Sequence, residues 1–500
     1  MSSAPDSPLE LTGRVAKLTS ILDVAKAMAA ARDLDLLLPL IIREAAKVVD
    51  ADRCTLFILD RERGELWSKV AQGAAREIRV QLGRGIAGTV AETGQVINIQ
   101  DAYDDPRFNR TVDIATGYRT RTVLCVPMRD AQGEVTGVLQ ALNKRDGPFT
   151  DEDAELLLAL GGQAAGAIEN ALLHDEINRL FEGFVSASVV AIESRDPTTA
   201  GHSGRVAALT VGLATALEHE TAGPYAKTRF NTQDVQEMRY ASLLHDFGKV
   251  GVREHVLVKA EKLYPQELDA LRARFALARK DRQLRSLERR LQAARQGHSL
   301  ESVERTEADR LAAELREMDE MLEFILACNR PTVLPSGGFE RLAELGRLTF
   351  LDAWDTEQPL LAPREVERLS ISRGSLSTDE RREIESHVTH TFRFLSQIPW
   401  TRALRRVPDI AYAHHERLNG TGYPRNMPAE SIPVQSKMMA IADVYDALTA
   451  SDRPYKKAVP HPAALDILGQ EARNGMLDLD LLRIFVAAEV PRTALRPPVS

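Results

Sequence analysis

The chain has 500 residues, 44% of them apolar and 27% charged, an ordinary globular balance in a length that exceeds one core, so two or three domains are expected. A net charge of −8 and a pI near 5.9 argue against a general nucleic-acid binder and leave room only for local basic patches. Cys54, Cys125 and Cys328 form no CxxC pair, which excludes a zinc knuckle or a disulfide framework. Met1–Glu10 has no basic n-region and no apolar h-region, and no apolar run reaches the roughly 20 residues of a membrane span. A cytoplasmic protein without a span is expected.

Residues 1–16, rich in Ser and Pro, read as a disordered leader. From Val15 to Asp50, Ile21, Val24, Met28, Leu34, Leu37, Leu40, Ile41 and Ala45 recur at helical spacing. Strand-like runs follow at 54–59, 78–82, 96–99, 123–127 and 137–143, separated by turns such as Gly83–Gly88. Helix, antiparallel sheet and closing helix make an α+β pattern that ends near residue 170.

These residues resemble a GAF domain, assigned to 17–172. The likeness lies in Gly83–Gly88, Asp101–Asn109, and Asn143-Lys144 through Phe149 and Asp153, and is nearest to GAF domains that bind cyclic nucleotides. It implies a cyclic nucleotide as ligand, contacted by Asn143, Lys144, Phe149 and Asp153. The family's closing Asp-Glu pair is Asp153-Ala154 here, which leaves open a GAF fold used only for dimerisation.

From Asp151 to about Ser194 the chain reads as one long helix or two collinear ones. Leu157, Leu160, Ala164, Ile168 and Leu172 form a stripe that Ile177, Leu180 and Phe184 resume, as a two-stranded seam between protomers would require. Gly161-Gly162 interrupts it. Residues 173–184 are the linker helix, and a homodimer through the GAF domain and this helix is expected.

Residues 265–370 differ in texture. A basic helix over 268–295, a break at Gln296–Ser299 and an acidic helix from Glu301 suggest an antiparallel hairpin with complementary flanks. Its expected core is Leu271, Phe275, Leu284, Leu287 and Leu291 against Leu311, Leu315, Met318, Leu322 and Ile325. Residues 331–370 read as a compact return segment.

Around this block lie histidines and aspartates in suggestive contexts: His202 opening an amphipathic helix, His245-Asp246 followed by Phe247-Gly248-Lys249, then His387, His414-His415 and Asp443. Imidazole and carboxylate donors without Cys suit Fe, Mn or Zn. The two oxygens of Asp246 can bridge two metals, and such a pair can clamp a phosphodiester for in-line attack. Lys249, three residues on, would offset the phosphate charge. His174-Asp175 is a second His-Asp dipeptide with none of this context.

Together with Arg195–Ala200, Gly420–Pro424, Asp443–Thr449 and Arg453–Lys457, these residues resemble the HD-GYP family of HD-domain phosphohydrolases. The resemblance covers about 185–264 and 371–470, and it implies an all-α catalytic domain over 185–264 and 371–490 that carries 265–370 as a helical-hairpin insertion. It implies hydrolysis of cyclic di-GMP to the linear dinucleotide or to GMP at an iron or manganese centre. By position, His202, His245, Asp246, His387, His414, His415 and Asp443 would be metal ligands, with Asp246 and Lys249 catalytic. Lys249, Asp446, Arg453, Lys456, Lys457 and Tyr423 would hold the substrate. Three-metal members carry an acidic ligand four residues before the first His; Thr198 stands there, so two divalent ions are expected rather than three. Asn419 replaces the usual Asp of the His-His-Glu run, and the Asp446–Arg453 spacing is one residue long. The insertion falls where the chain approaches His387 and could lid or block the site. Two other readings stay open: an adaptor docking partners such as diguanylate cyclases, and an HD phosphohydrolase acting on a nucleotide or alarmone.

Overall fold

The computed structural model describes residues 26–28, 33–68, 78–196, 200–333, 337–450 and 458–495. The leader at 1–16, with Ile21 and Val24, lies outside them. Two compact units are present, Met1–Gly183 and Phe184–Ser500.

In the first unit, α1 (Leu34–Val48) is capped by Asp33, whose side chain accepts from the Asp35 amide. Six strands follow: β1 (Ala51–Asp60), β2 (Glu65–Ser68), β3 (Ile78–Gln81), β4 (Ile97–Ile99), β5 (Val123–Arg129) and β6 (Val135–Lys144). Between β3 and β4 lies α2 (Gly85–Thr93), and between β4 and β5 lies α3 (Arg110–Thr116). The sheet order is β3-β2-β1-β6-β5-β4, antiparallel throughout. Side chains alternate between its faces. Cys54, Leu56 and Ile58 of β1 join the core with α1, while Phe57 between them joins the core with α2. Helices therefore cover both faces, and the three cysteines of the chain are buried.

The closing helix α4 (Asp151–Arg195) is continuous, so the stripe read as one helix or two is one. Leu157, Leu160, Ala164 and Ile168 are buried against the sheet. Among the described residues α4 has the length and composition of a membrane span, which corrects the reading that no segment does. Its buried face is what a core helix of a globular domain presents. Beyond the sheet, Leu173, Ile177 and Leu180 are exposed.

Among the described residues the second unit is helical apart from one two-stranded ribbon. In chain order come α5 (His202–Glu218), α6 (Thr232–Leu244), a 3-10 turn over Phe247–Gly251, α7 (Glu254–Leu257), α8 (Pro265–Arg295) and α9 (Leu300–Asn329). Then follow α10 (Gly338–Leu345), β7 (Thr349–Leu351), β8 (Glu357–Pro359), α11 (Pro363–Leu369), α12 (Thr378–Glu385), α13 (His387–Leu395), α14 (Val407–Tyr412), α15 (Val434–Thr449), α16 (His461–Arg473), α17 (Leu479–Ala487) and α18 (Val490–Ala494). Helices α5, α6, α14 and α15 pack around Val206, Leu209, Leu244, Met438 and Ile441, all buried.

Helices α8 and α9 run antiparallel, with Arg289 on Glu307 at 2.8 Å and Arg279 on Asp319. Only part of the expected hairpin core forms. Leu271 and Phe275 pack with Met318, Ile325, Leu345 and Leu361, but Leu284, Leu287 and Leu291 are 56%, 58% and 55% exposed. In a helix carrying apolar residues on two faces, spacing alone does not say which face meets the neighbour.

Candidate metal centre

Five short stretches converge. His202 opens α5 after Gly201, whose φ of 68° needs no Cβ. His245 ends α6, Asp246 precedes the 3-10 turn, His387 opens α13, His414 and His415 follow α14, and Asp443 sits within α15. Helix termini meeting at one point let short side chains reach a common centre without an unpaired backbone between them.

Three histidines are oriented by one device. His245, His387 and His414 each donate Nδ1–H to the carbonyl three residues earlier, Ser242, Ile384 and Ala411, at 2.6 Å in every case. A carbonyl only accepts, so the neutral ring turns an Nε2 lone pair inward. All three Nε2 atoms are buried without a hydrogen-bond partner. His387 Nε2 also faces Asp246 Oδ1 at 3.3 Å. Two acceptors face to face are unfavourable unless a cation lies with them.

The ligand atoms fall into three groups, each within 4.8 Å: His387, His414 and His415; His202, His245 and Asp443; and His245, Asp246 and His414. Burial holds His245 and His414 below the ordinary imidazole range and takes His415 to about 3. Burial alone would raise Asp246, but the Lys249 ammonium and nearby histidines outweigh it and keep the carboxylate well below its usual value. Asp443 is likewise lowered, by His202, against its burial. Ionised carboxylates and neutral His245, His414 and His415 are the forms a divalent cation needs. His202, which burial would lower but Asp443 and Asp446 raise to about 9, would release its proton on binding one, and with that step the residues fit the implied metals.

The turn after Asp246 is fixed by close approach. A Cβ on Gly248 would lie 1.9 Å from the His387 carbonyl oxygen. The Gly248 amide donates to Thr391 Oγ1 at 2.8 Å, and that hydroxyl donates to the His245 carbonyl at 2.9 Å. One buried hydroxyl thus ties the His-Asp turn to the helix bearing His387. Lys249 Nζ then lies 2.8 Å from Asp246 and 3.3 Å from Asp196. Phe247 stacks on Phe394 at 3.7 Å between centroids, and Phe184 of α4 stacks on the same ring at 6.5 Å.

The Gly-Tyr-Pro loop folds back on the double histidine. The Tyr423 amide donates to the His415 carbonyl at 3.2 Å, and the two rings lie 4.8 Å apart. Glu416 holds the loop by accepting from the Arg425 and Met427 amides at 2.7 and 2.9 Å. Asn419, in place of the usual Asp, braces it by accepting from Thr421.

Several expected positions change. Asp446 accepts from Arg205 at 2.7 Å and faces His202 Nδ1 at 2.7 Å, so its carboxylate braces His202. Arg453, Lys456, Lys457 and Thr198 lie outside the described residues. In the first unit the four residues expected to contact a nucleotide all have partners within the protein. Asn143, at φ 54°, accepts from the Arg121 and Thr122 amides. Lys144 pairs with Asp153, which also caps α4 through Thr150, and Phe149 is core. A cavity of about 660 Å³ does lie in this unit, between the sheet and α2, lined instead by Arg53, Phe57, Arg84, Asp113, Tyr118 and others.

No role was expected for Asp196, Arg205 or Thr391, although Asp196 stands inside the Arg195–Ala200 run, Arg205 one turn after His202 and Thr391 one turn after His387. It also missed Glu380, buried at the start of α12, which accepts from Lys259 and Tyr264 and so ties α12 to the entry of the hairpin.

Comparison with known proteins places both halves. Residues 33–168 match the GAF domain family, and residues 360–481 match the HD domain family. The chain is a GAF domain followed by a helical HD-type domain. A protein of Caenorhabditis elegans named probable 3',5'-cyclic phosphodiesterase is 38% identical over 30% of this chain and 22% of its own length. The dual 3',5'-cyclic-AMP and -GMP phosphodiesterase 11A of Takifugu rubripes is 40% identical over 25% of this chain and 16% of its own. The chain therefore spans about a fifth, or less, of the curated relatives it matches. Among solved structures, the GAF domain of a Coxiella burnetii phosphoenolpyruvate-protein phosphotransferase is 25% identical, covering 32% of this chain and 96% of that one, with a TM-score of 0.29.

Proposed function

We propose that the HD-type domain is a metal-dependent phosphodiesterase acting on cyclic di-GMP, regulated by the GAF domain. The observation that carries this reading is the set of three buried, partnerless Nε2 atoms aimed with Asp246 and Asp443 at one centre. His202, His245, Asp246, His387, His414, His415 and Asp443 would hold two iron or manganese ions. Such ions polarise a phosphate and acidify a water at neutral pH. Lys249, held between Asp246 and Asp196, supplies a fixed positive charge for a non-bridging phosphate oxygen. Asp446 and Arg205 keep His202 in register, and Tyr423 walls the side beside His415.

The Gly422-Tyr423-Pro424 loop folded on the double histidine supports cyclic di-GMP, in keeping with the resemblance to HD-GYP proteins. The names of the two curated relatives favour a second substrate class, 3',5'-cyclic mononucleotides. The GAF cavity, with arginines beside Asp113 and Tyr118, supports a cyclic nucleotide as regulator. The exposed stripe Leu173, Ile177 and Leu180 supports a homodimer through the linker helix. The test is product analysis with manganese- or iron-loaded protein on cyclic di-GMP, cyclic GMP and cyclic AMP, against a His245→Ala, Asp246→Ala control. Linear dinucleotide or GMP from cyclic di-GMP, absent in the control, is expected. Turnover of cyclic mononucleotides alone would move the substrate. No turnover by metal-loaded protein would favour the adaptor.

A further inference from the structure

The leucines that the hairpin core leaves out form a pattern of their own. Along α8, Ala273, Leu277, Lys280, Leu284, Leu287, Leu291 and Ala294 alternate by four and three residues, which is a heptad seam. Leu277, Leu284, Leu287 and Leu291 are 45–58% exposed, and Ala273, Lys280 and Ala294 are exposed as well. The opposite side of the same helix, Leu271, Phe275 and Ala278, is already buried. A stripe of this length on an otherwise charged helix is the kind of surface that marks an interaction site.

We propose that this seam is a homotypic interface, in which α8 pairs antiparallel with α8 of a second copy of the chain. The charges decide both the occupant and the direction. A parallel pair would set Lys280 against its own copy inside the seam and Arg290 against Arg295 at the flank, and like charges so placed oppose association. An antiparallel pair centred between Leu284 and Leu287 sets each of these leucines against the other and Leu277 against Ala294. It also brings Lys280 beside Glu288 of the second copy, twice by symmetry. Glu288 is exposed and has no ion-pair partner of its own among the described residues. Asp281, the other acid along this flank, is already paired with Arg285 at 2.9 Å. A single Lys in a seam sets register and direction in the way a buried Asn does. The interface is separate from the linker helix and needs neither the metals nor the substrate.

Cross-linking of the full chain tests it, because Cys54, Cys125 and Cys328 are all buried. Leu284→Cys and Ala273→Cys are treated separately with a short bismaleimide. In the antiparallel pair the two copies of position 284 lie side by side, whereas those of position 273 are roughly 40 Å apart at 1.5 Å per residue. A covalent dimer from Leu284→Cys and none from Ala273→Cys is expected. Adding Leu287→Glu to Leu284→Cys is expected to cut the yield at least tenfold while the helical circular dichroism stays unchanged, since both positions are exposed. A dimer from Ala273→Cys overturns the antiparallel register. No cross-link at position 284, or a yield indifferent to Leu287→Glu, overturns the interface and leaves the seam to another partner.

Discussion

Asp446 Oδ2 lies 2.7 Å from His202 Nδ1, and Arg205 grips the same carboxylate with two nitrogens. The residue is thus a support for His202, one layer behind the centre. Such supports set ring orientation and ligand basicity, and their loss costs roughly 10–100-fold in metal affinity. Asp446→Asn should therefore weaken metal binding by that factor and leave the KM for substrate nearly unchanged once metal is saturating. Metal titration beside steady-state kinetics separates the two. A raised KM with unaltered metal affinity would return Asp446 to the substrate side.

Lys249 is the cation beside the expected phosphate position, fixed by Asp196 as well as Asp246. Lys249→Met should lower kcat/KM on the order of 100-fold, as removal of a preorganised charge does, while the protein keeps its metal. Asp196→Asn should give a smaller loss in the same direction, because Lys249 then has only Asp246 to hold it. Kinetics with metal content measured on the same samples check both.

Thr391 is fully buried and bridges the Gly248 amide and the His245 carbonyl. Thr391→Val keeps the shape and strands both groups, at a cost of about 1–3 kcal/mol. Chemical denaturation should register that loss in the HD-type unit, with lower metal occupancy beside it.

Glu380 gives a pH dependence with a definite sign. Burial alone would raise it, but hydrogen bonds from Lys259, the Ser377 amide and Tyr264 take it from 4.5 to about 2. A folded value below the unfolded one means stability that is present above about 4.5 and lost as the pH falls toward 2. Glu380→Gln should flatten this acid limb, and it should also destabilise at neutral pH because Lys259, with its side chain 2% exposed, loses its partner. Denaturation of both forms across that pH range checks it.

The ordered histidines were legible because the chemistry needs specific side chains in compact contexts, and a run such as His245–Lys249 carries both ligand and neighbour. The order of helix, sheet and closing helix in the first unit was legible from periodicity. Asp446 was not, since a carboxylate near a metal site serves a substrate or a histidine equally well until its partner is known. The protein partners of Asn143, Lys144, Phe149 and Asp153 were hidden for a related reason: a recurring motif can brace a fold, as the Lys144–Asp153 pair and the Thr150 cap do here. Leu284, Leu287 and Leu291 were assigned to the wrong face because heptad spacing fixes a stripe, not what covers it.

Counting metal ions per chain against turnover tests the two-metal phosphodiesterase. Metal-free protein is titrated with manganese or ferrous iron under exclusion of air, and bound metal and cyclic di-GMP hydrolysis are followed together. Two ions per chain, hydrolysis that rises with the second, and neither in the His245→Ala, Asp246→Ala variant are expected. Hydrolysis by the metal-free chain, or full hydrolysis by that variant, would contradict that assignment.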